Sequence, residues 1–179
     1  MRTEIEAKLK VESPQEVENR LAGLKAEFLE EQSQIDYYFD DVNRTLTKTD
    51  RCLRLRRQLT KEQEKVFLTY KGPKEKDQLK KRQEIEIEVG NVDSVRKLLS
   101  ALGYDQALVV EKKRRIYRLG GCVVALDELP LLGSFVEIEG SDDEKIVNVQ
   151  RDLGLADLQH IPISYASLMA EKLSHESSE

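Results

Sequence analysis

The sequence predicts an α+β fold in which antiparallel strands dominate and a few amphipathic helices cover them. Three observations predict it. Charged and apolar residues alternate with period two in segment after segment. Four stretches instead carry apolar residues at helical spacing, several behind a capping residue. Gly, Pro and Asp punctuate the boundaries between these stretches.

Taken in order, residues 1–11 read as a strand. Ile5, Ala7, Leu9 and Val11 share one side, and Glu4, Glu6, Lys8 and Lys10 the other. Ser13-Pro14-Gln15-Glu16 supplies an N-cap, a proline at the first helical position and a capping-box glutamate. Val17, Leu21 and Leu24 then mark a short helix that ends near Gly23. Residues 26–40 read as a second strand and 41–50 as a polar turn. Residues 51–60 and 65–71 form a predicted hairpin across Lys61-Glu62-Gln63-Glu64, with Gly72-Pro73-Lys74 as its breaker. A strand over 79–89 follows. Asn91 caps a helix bearing Val92, Val95, Leu98, Leu99 and Leu102, stopped by Gly103. Strands over 108–118, 123–128 and 134–139 come next, separated by Gly120-Gly121 and Leu132-Gly133. Residues 142–153 and 164–173 are helical, and 174–179 form a polar, disordered tail. A charged strand, a helix and a set of strands occur twice, which suggests pseudo-symmetric halves.

A chain of 179 residues is expected to form one domain, here 1–173, burying about 70% of its unfolded surface. Charged residues make up 35% and the mean hydropathy is −0.56, so the expected protein is soluble. No apolar run approaches a membrane span and no signal-peptide core opens the chain. Cys52 and Cys122 lack metal-type spacing and read as reduced thiols of a cytoplasmic protein. The net charge of −5 argues against a general nucleic-acid binder. Its 29 basic and 34 acidic residues nevertheless mix on the same strand faces, a pattern suited to a polyanionic ligand that carries a metal.

The same alternation recurs along the chain. Arg54 and Arg56 oppose Leu53 and Leu55; Phe67, Thr69 and Lys71 oppose Val66, Leu68 and Tyr70. Arg82, Glu84, Glu86 and Glu88 oppose Ile85, Ile87 and Val89. Lys112 and Arg114 share a face, Asp127 shares one with Val123 and Ala125, and Glu137 and Glu139 oppose Val136 and Ile138. On a single strand this is a wet face whose charges pair across the sheet, each pair contributing roughly 0.2–1 kcal/mol. All strands together admit two architectures. In a sandwich or ordinary barrel the apolar faces meet inside. In a wide barrel helices cover the apolar faces from outside and the charges line a lumen. Periodicity alone does not choose between them.

Same-face pairs such as Glu4 with Glu6, or Glu137 with Glu139, lie about 6.6 Å apart along a strand. If enclosed they repel, and require protons or a cation. Carboxylates without His or Cys suit Mg²⁺ or Mn²⁺ rather than Zn²⁺. Interleaved Arg and Lys suit phosphate oxygens. The chain has neither GxxxxGK[ST] nor GxGxxG, and no Ser–His–Asp set; His160 and His175 read as structural or exposed.

The strand EIEAK resembles the ExExK motif of the CYTH superfamily, the triphosphate tunnel metalloenzymes. DYYFDD, TDRCLRLRR, FLTYKGP, KRQEIEIEV, EKKRRIY, ALDELPLLGSFVEIEG and SYASLMAEKL follow in that family's order, so the likeness runs from Met1 to about Leu173. The set looks closest to the class IV adenylyl cyclase-like group. The resemblance implies an antiparallel eight-stranded β-barrel forming a charged tunnel, with helices packed outside. It implies a catalytic set of Glu4, Glu6, Lys8 and Asp127, and metal ligands among Glu4, Glu6, Glu84, Asp127, Glu137 and Glu139. Lys8, Arg54, Arg56, Lys71, Arg82, Lys112 and Arg114 would grip a triphosphate, with Asp127 either on the metal or orienting a basic partner. Lys112 and Arg114 are preferred over Lys113 and Arg115 because Asp127 follows at the family's usual distance.

The implied cofactor is Mg²⁺ or Mn²⁺ and the implied partner a small triphosphate: ATP, inorganic triphosphate or thiamine triphosphate. A homodimer is also allowed. The implied reaction is conversion of ATP to cyclic AMP and pyrophosphate, with triphosphatase chemistry as the alternative. A non-catalytic polyphosphate or nucleotide binder gains little from so many carboxylates. A barrel with an apolar lumen for a lipophile requires the opposite sense of alternation.

Overall fold

The computed structural model describes residues 2–75 and 79–176. Its elements run β1 (Arg2–Val11), α1 (Pro14–Gly23), β2 (Glu27–Asp40), α2 (Thr45–Lys48), β3 (Cys52–Leu59), β4 (Glu64–Lys74), β5 (Lys80–Val89), α3 (Val92–Ala101), β6 (Asp105–Leu119), β7 (Cys122–Leu129), β8 (Gly133–Glu139), α4 (Asp143–Asp152) and α5 (Tyr165–Glu176). The eight strands close into an antiparallel barrel in the order β1-β5-β4-β3-β2-β6-β7-β8. Exchanging β1 with β5, β2 with β6, β3 with β7 and β4 with β8 reproduces that order. The two halves of the chain therefore hold equivalent places, and Glu-Ile-Glu recurs at Glu4–Glu6 of β1 and Glu84–Glu86 of β5.

Local chemistry places the elements. Ser13 accepts from the Glu16 amide at 3.3 Å and Asn91 from the Ser94 amide at 2.8 Å, so both expected N-caps form. Gly120 and Gly121 both adopt positive φ, 58° and 77°, as a two-residue hairpin turn between β6 and β7 demands. A side chain at Gly120 would also meet Val149 of α4.

The apolar strand faces point outward. Ala7, Leu9, Val124, Leu126, Val136 and Ile138 are covered by Val17 and Leu21 of α1 and by Ile146 and Val149 of α4. Each such fully buried aliphatic side chain contributes about 2 kcal/mol. Leu99 of α3, with Val92 and Val95, packs on Phe39, Leu55 and Val66. Cover is incomplete on β5, where Ile85 and Ile87 stay 45% and 53% exposed because no helix crosses them. No helix is long and apolar enough to span a membrane among the described residues.

Three boundaries differ from expectation. Residues 41–50 contain the one-turn helix α2. Asp40 organises it: its Oδ1 accepts from the Asp41 and Leu46 amides, and its Oδ2 from the Thr47 amide and hydroxyl. β4 continues through Gly72-Pro73-Lys74, because a register shift between Lys71 and Lys74 absorbs the proline that cannot donate to a ladder. α5 runs through Glu176; the rest of the expected tail, 177–179, lies outside the described residues. α5 is also distinct in position. Its Tyr165 and Met169 pack on Val110, Leu129 and Phe135, which share the lumen-facing parity of β6, β7 and β8. It thus covers one end of the barrel.

Candidate active site

The polar strand faces enclose one cavity of about 730 Å³. Of the thirteen residues singled out from sequence, twelve line it; Asp127, fully buried, stands directly behind Arg114. The strand register explains the assembly. Glu6 lies opposite Glu139 and Lys8 opposite Glu137 across β1 and β8, while Arg114 lies opposite Asp127 across β6 and β7. The register question is resolved: Lys112 and Arg114 face the lumen, and Arg115 turns outward to Glu18 and Glu128.

The cationic wall residues singled out from sequence are held by neighbours. Lys71 Nζ donates to both carboxylate oxygens of Glu4 at 2.7 Å and lies 3.4 Å from Glu84. Arg56 forms a two-pronged pair with Asp36, at 2.6 and 2.7 Å. Arg114 does the same with Asp127, at 2.6 and 2.5 Å, and also bonds Glu137. Lys8 donates to the Ile163 carbonyl at 3.1 Å and lies 3.4 Å from Glu137. Arg54 donates to Thr69 at 3.1 Å and sits 3.5 Å from Glu86, yet its buried Nε–H has no partner among the described residues. Such fixed guanidiniums are preorganised for an anion. Arg82 is engaged differently. It donates to the Gly72 and Asp50 carbonyls and so ties the irregular end of β4 to the segment before β3.

Charge states follow from burial and neighbours. Burial works to raise the Asp36 pKa, but Arg56 and Arg54 outweigh it and hold the carboxyl below its usual range. Burial likewise opposes ionisation of Asp127, and Arg114 and Lys112 overcome it. Lys112 goes the other way. Burial, reinforced by Arg114, brings its pKa down to about 7 despite Asp127. An anion seated beside Lys112 favours the charged form, so binding takes up a proton above pH 7. The affinity ratio of wild type to K112M for inorganic triphosphate should therefore fall about tenfold or more between pH 6.5 and 8.5. Calorimetry at several pH values checks this, and the ratio removes the ligand's own titration.

Asp36, Glu86 and Tyr165 also line the cavity but were given no site role from sequence, and Thr69, placed on the same face as Lys71, bridges Arg54 and Glu86. Asp36 lies inside the quoted DYYFDD and shares the period-two face of Gln34, but its partner is twenty residues away. Tyr165 begins α5. Its hydroxyl donates to Asp127 at 2.9 Å, and the Lys8 and Lys112 ammoniums lie 4.0 and 4.8 Å from its ring centroid. His160 bonds Gln150 at 2.8 Å, away from the cavity, in the structural role expected of it.

The donor set fits a hard divalent cation: Glu4, Glu6, Glu84, Glu137 and Glu139 offer oxygen only. Glu6 and Glu139, directly opposed, have Cβ atoms about 5 Å apart. Among the described residues no three carboxylates converge on one point. Lys71 holds Glu4 and Glu84, while Arg114 and Lys8 hold Glu137. Asp127 spends its oxygens on Arg114, Lys112 and Tyr165, which makes it an orienting group.

The chain is similar to known proteins. The CYTH domain matches residues 2–165. A Methanocaldococcus jannaschii protein provisionally named an adenylate cyclase, MJ0240, is 33% identical over 138 residues, 77% of each chain. The adenylate cyclase CyaB of Aeromonas hydrophila is 29% identical over 184 residues, covering 97% of this chain and 92% of its own. The solved structure of PH1819 from Pyrococcus horikoshii OT3 superposes with a TM-score of 0.83 at 32% identity, covering 94% of this chain and 99% of that one. With its barrel order, its lumen charges and these relatives in agreement, the chain belongs to the CYTH domain family.

Proposed function

We propose that this protein is a divalent-metal-dependent enzyme that holds a triphosphate in the barrel lumen and converts ATP to cyclic AMP and pyrophosphate. The observation that carries the reading is the ring of lumen cations around one cavity, in which the buried Arg54 Nε–H still has a bond to give. Lys8, Arg54, Arg56, Lys71, Lys112 and Arg114 together offset the charge of a triphosphate and fix its chain. Asp36 and Asp127 keep two of these guanidiniums in place. Arg82 ties the end of β4 to the segment before β3 and contributes charge from there. Bound Mg²⁺ or Mn²⁺, held by Glu4, Glu6, Glu84, Glu137 and Glu139, would supply further charge neutralisation on the phosphate oxygens.

In the cyclising reaction the ribose 3′-oxygen bonds to the α-phosphorus. The bond from that phosphorus to its bridging oxygen breaks, the hydroxyl proton passes to solvent, and pyrophosphate leaves. The cation ring bears the charge that builds on the leaving group.

A second reading rests on the end covered by α5. Lys8, Lys112 and Arg114 gather there around Tyr165 and Asp127, a place suited to a terminal phosphate. Water attack on that phosphorus would release orthophosphate from inorganic triphosphate, thiamine triphosphate or a nucleotide. Side-by-side assays with ATP, inorganic triphosphate and thiamine triphosphate, each with Mg²⁺ and Mn²⁺, separate the two. Cyclic AMP with pyrophosphate is the expected outcome; orthophosphate alone favours the second reading; no turnover of any of them removes both. We take residues 1–173 as the functional unit and place it in the cytoplasm, where the free thiols of Cys52 and Cys122 suit a reducing compartment.

A further inference from the structure

Lys71 sits where two acidic strands meet. It projects from β4, whose barrel neighbours are β3 and β5, yet its ammonium reaches past Glu84 on β5 to Glu4 on β1. The three side chains are 11%, 17% and 10% exposed, so water does little to screen them. Two carboxylates and one ammonium leave this group one negative charge. Without the ammonium it carries two, in a wall that admits little water, and a divalent cation is the species that neutralises it. The two glutamates also occupy matching places, in the Glu-Ile-Glu segments that the halves of the barrel share.

We propose that Lys71 is an internal counter-ion for Glu4 and Glu84, which keeps a divalent cation weakly bound until a triphosphate draws the ammonium away. The inference rests on the metal and triphosphate reading above and adds an order to it. Lys71 lines the cavity with Arg54 and Arg56, so its ammonium can turn to an incoming phosphate without leaving the site. Phosphate oxygens then replace the carboxylates as its acceptors, and the freed carboxylates recruit the cation. Metal and triphosphate thus favour each other's binding, by linkage to the same degree in both directions. It also accounts for the lack of three convergent carboxylates: the ammonium holds two of them in another posture.

The test reads binding of Mn²⁺ alone, by electron paramagnetic resonance or calorimetry, because free triphosphate chelates the metal in solution. K71M should bind Mn²⁺ about tenfold more tightly than wild type, within the usual range of such couplings. K71R, which keeps the charge, should stay as weak as wild type. Equal Mn²⁺ affinity in K71M and wild type, with both melting cooperatively, overturns the proposal. Should K71M not fold, wild type decides alone. With the Mn²⁺ chelated by free analogue measured and subtracted, Mn²⁺ bound as tightly without a methylene-bridged, non-hydrolysable triphosphate as with it also overturns the proposal, and weaker binding without it supports the proposal. If Mn²⁺ and that analogue fail to bind separately and together, the metal and triphosphate reading falls, and this inference with it.

Discussion

Glu6→Ala lowers kcat by about 10³-fold or more, near 4 kcal/mol of transition-state stabilisation. Glu6 is 5% exposed, faces the lumen from the middle of β1 and lies opposite Glu139. In the proposed site it belongs to the carboxylate set that holds the divalent cation, and no neighbouring neutral side chain replaces its oxygen donors. Lys10→Ala is the internal comparison. It is on the same strand face two pleats further along, but exposed, with its ammonium 5.9 Å from the Phe135 ring centroid. That variant should lose less than about threefold, the scale of a rim charge. Steady-state kinetics over a Mn²⁺ titration, with thermal melts of both variants, measure the contrast. Equal and small losses in the two would remove Glu6 from the metal set.

Asp127→Ala should destabilise the fold by about 3–5 kcal/mol, because it removes the carboxylate shared by Arg114, which keeps Glu137, and by buried Lys112. Asp127 is fully buried and receives Arg114 through two bonds, Lys112 at 3.5 Å and the Tyr165 hydroxyl at 2.9 Å. Alanine leaves that guanidinium and ammonium without their shared counter-charge and leaves the tyrosine hydroxyl without its acceptor. It also releases the start of α5 from the barrel wall. For a chain of this length the melting temperature should drop by roughly 8–15 °C, as read by circular dichroism. The acid limb gives an independent check with a defined sign. Arg114 and Lys112 hold the Asp127 pKa below its unfolded value, so its stabilisation is present above about pH 4 and fades as pH falls through the lowered pKa. Wild type should lose that share on acidification, and D127A, lacking it already, should show a shallower fall. A melting temperature within about 2 °C of wild type, worth about 1 kcal/mol or less for a chain of this length, would contradict the arrangement.

Much of the site was legible because strands print their faces on the sequence. Glu4, Glu6 and Lys8 alternate with Ile5, Ala7 and Leu9, so their common face required no coordinates. The same holds for Arg54 with Arg56 and for Glu137 with Glu139. Lys112 and Arg114 were harder. In Lys112-Lys113-Arg114-Arg115 all four positions are basic, periodicity is silent, and the choice needed the family resemblance; β6 pairing Arg114 with Asp127 then settled it. Asp36 and Tyr165 were not assigned, since neither spacing nor composition tells which distant side chain a buried carboxylate or hydroxyl will meet. Arg82 was assigned to the phosphate by the family resemblance. Its bonds to the Gly72 and Asp50 carbonyls depend on where the segment before β3 meets the end of β4, which no local pattern encodes.

By itself, then, the sequence determined which side chains stand together on each strand, where the four longer helices begin, and that carboxylates and basic residues share the polar strand faces. Only the tertiary structure decided which face of the sheet is concave. A period-two pattern is unchanged by turning the sheet over, so it cannot distinguish a charged exterior from a charged lumen. Closure of eight strands, with α1, α3 and α4 laid on the apolar side and α5 across one end, broke that symmetry. Closure also brought β5 beside β1, and so put Lys71 between two carboxylates eighty residues apart in the chain.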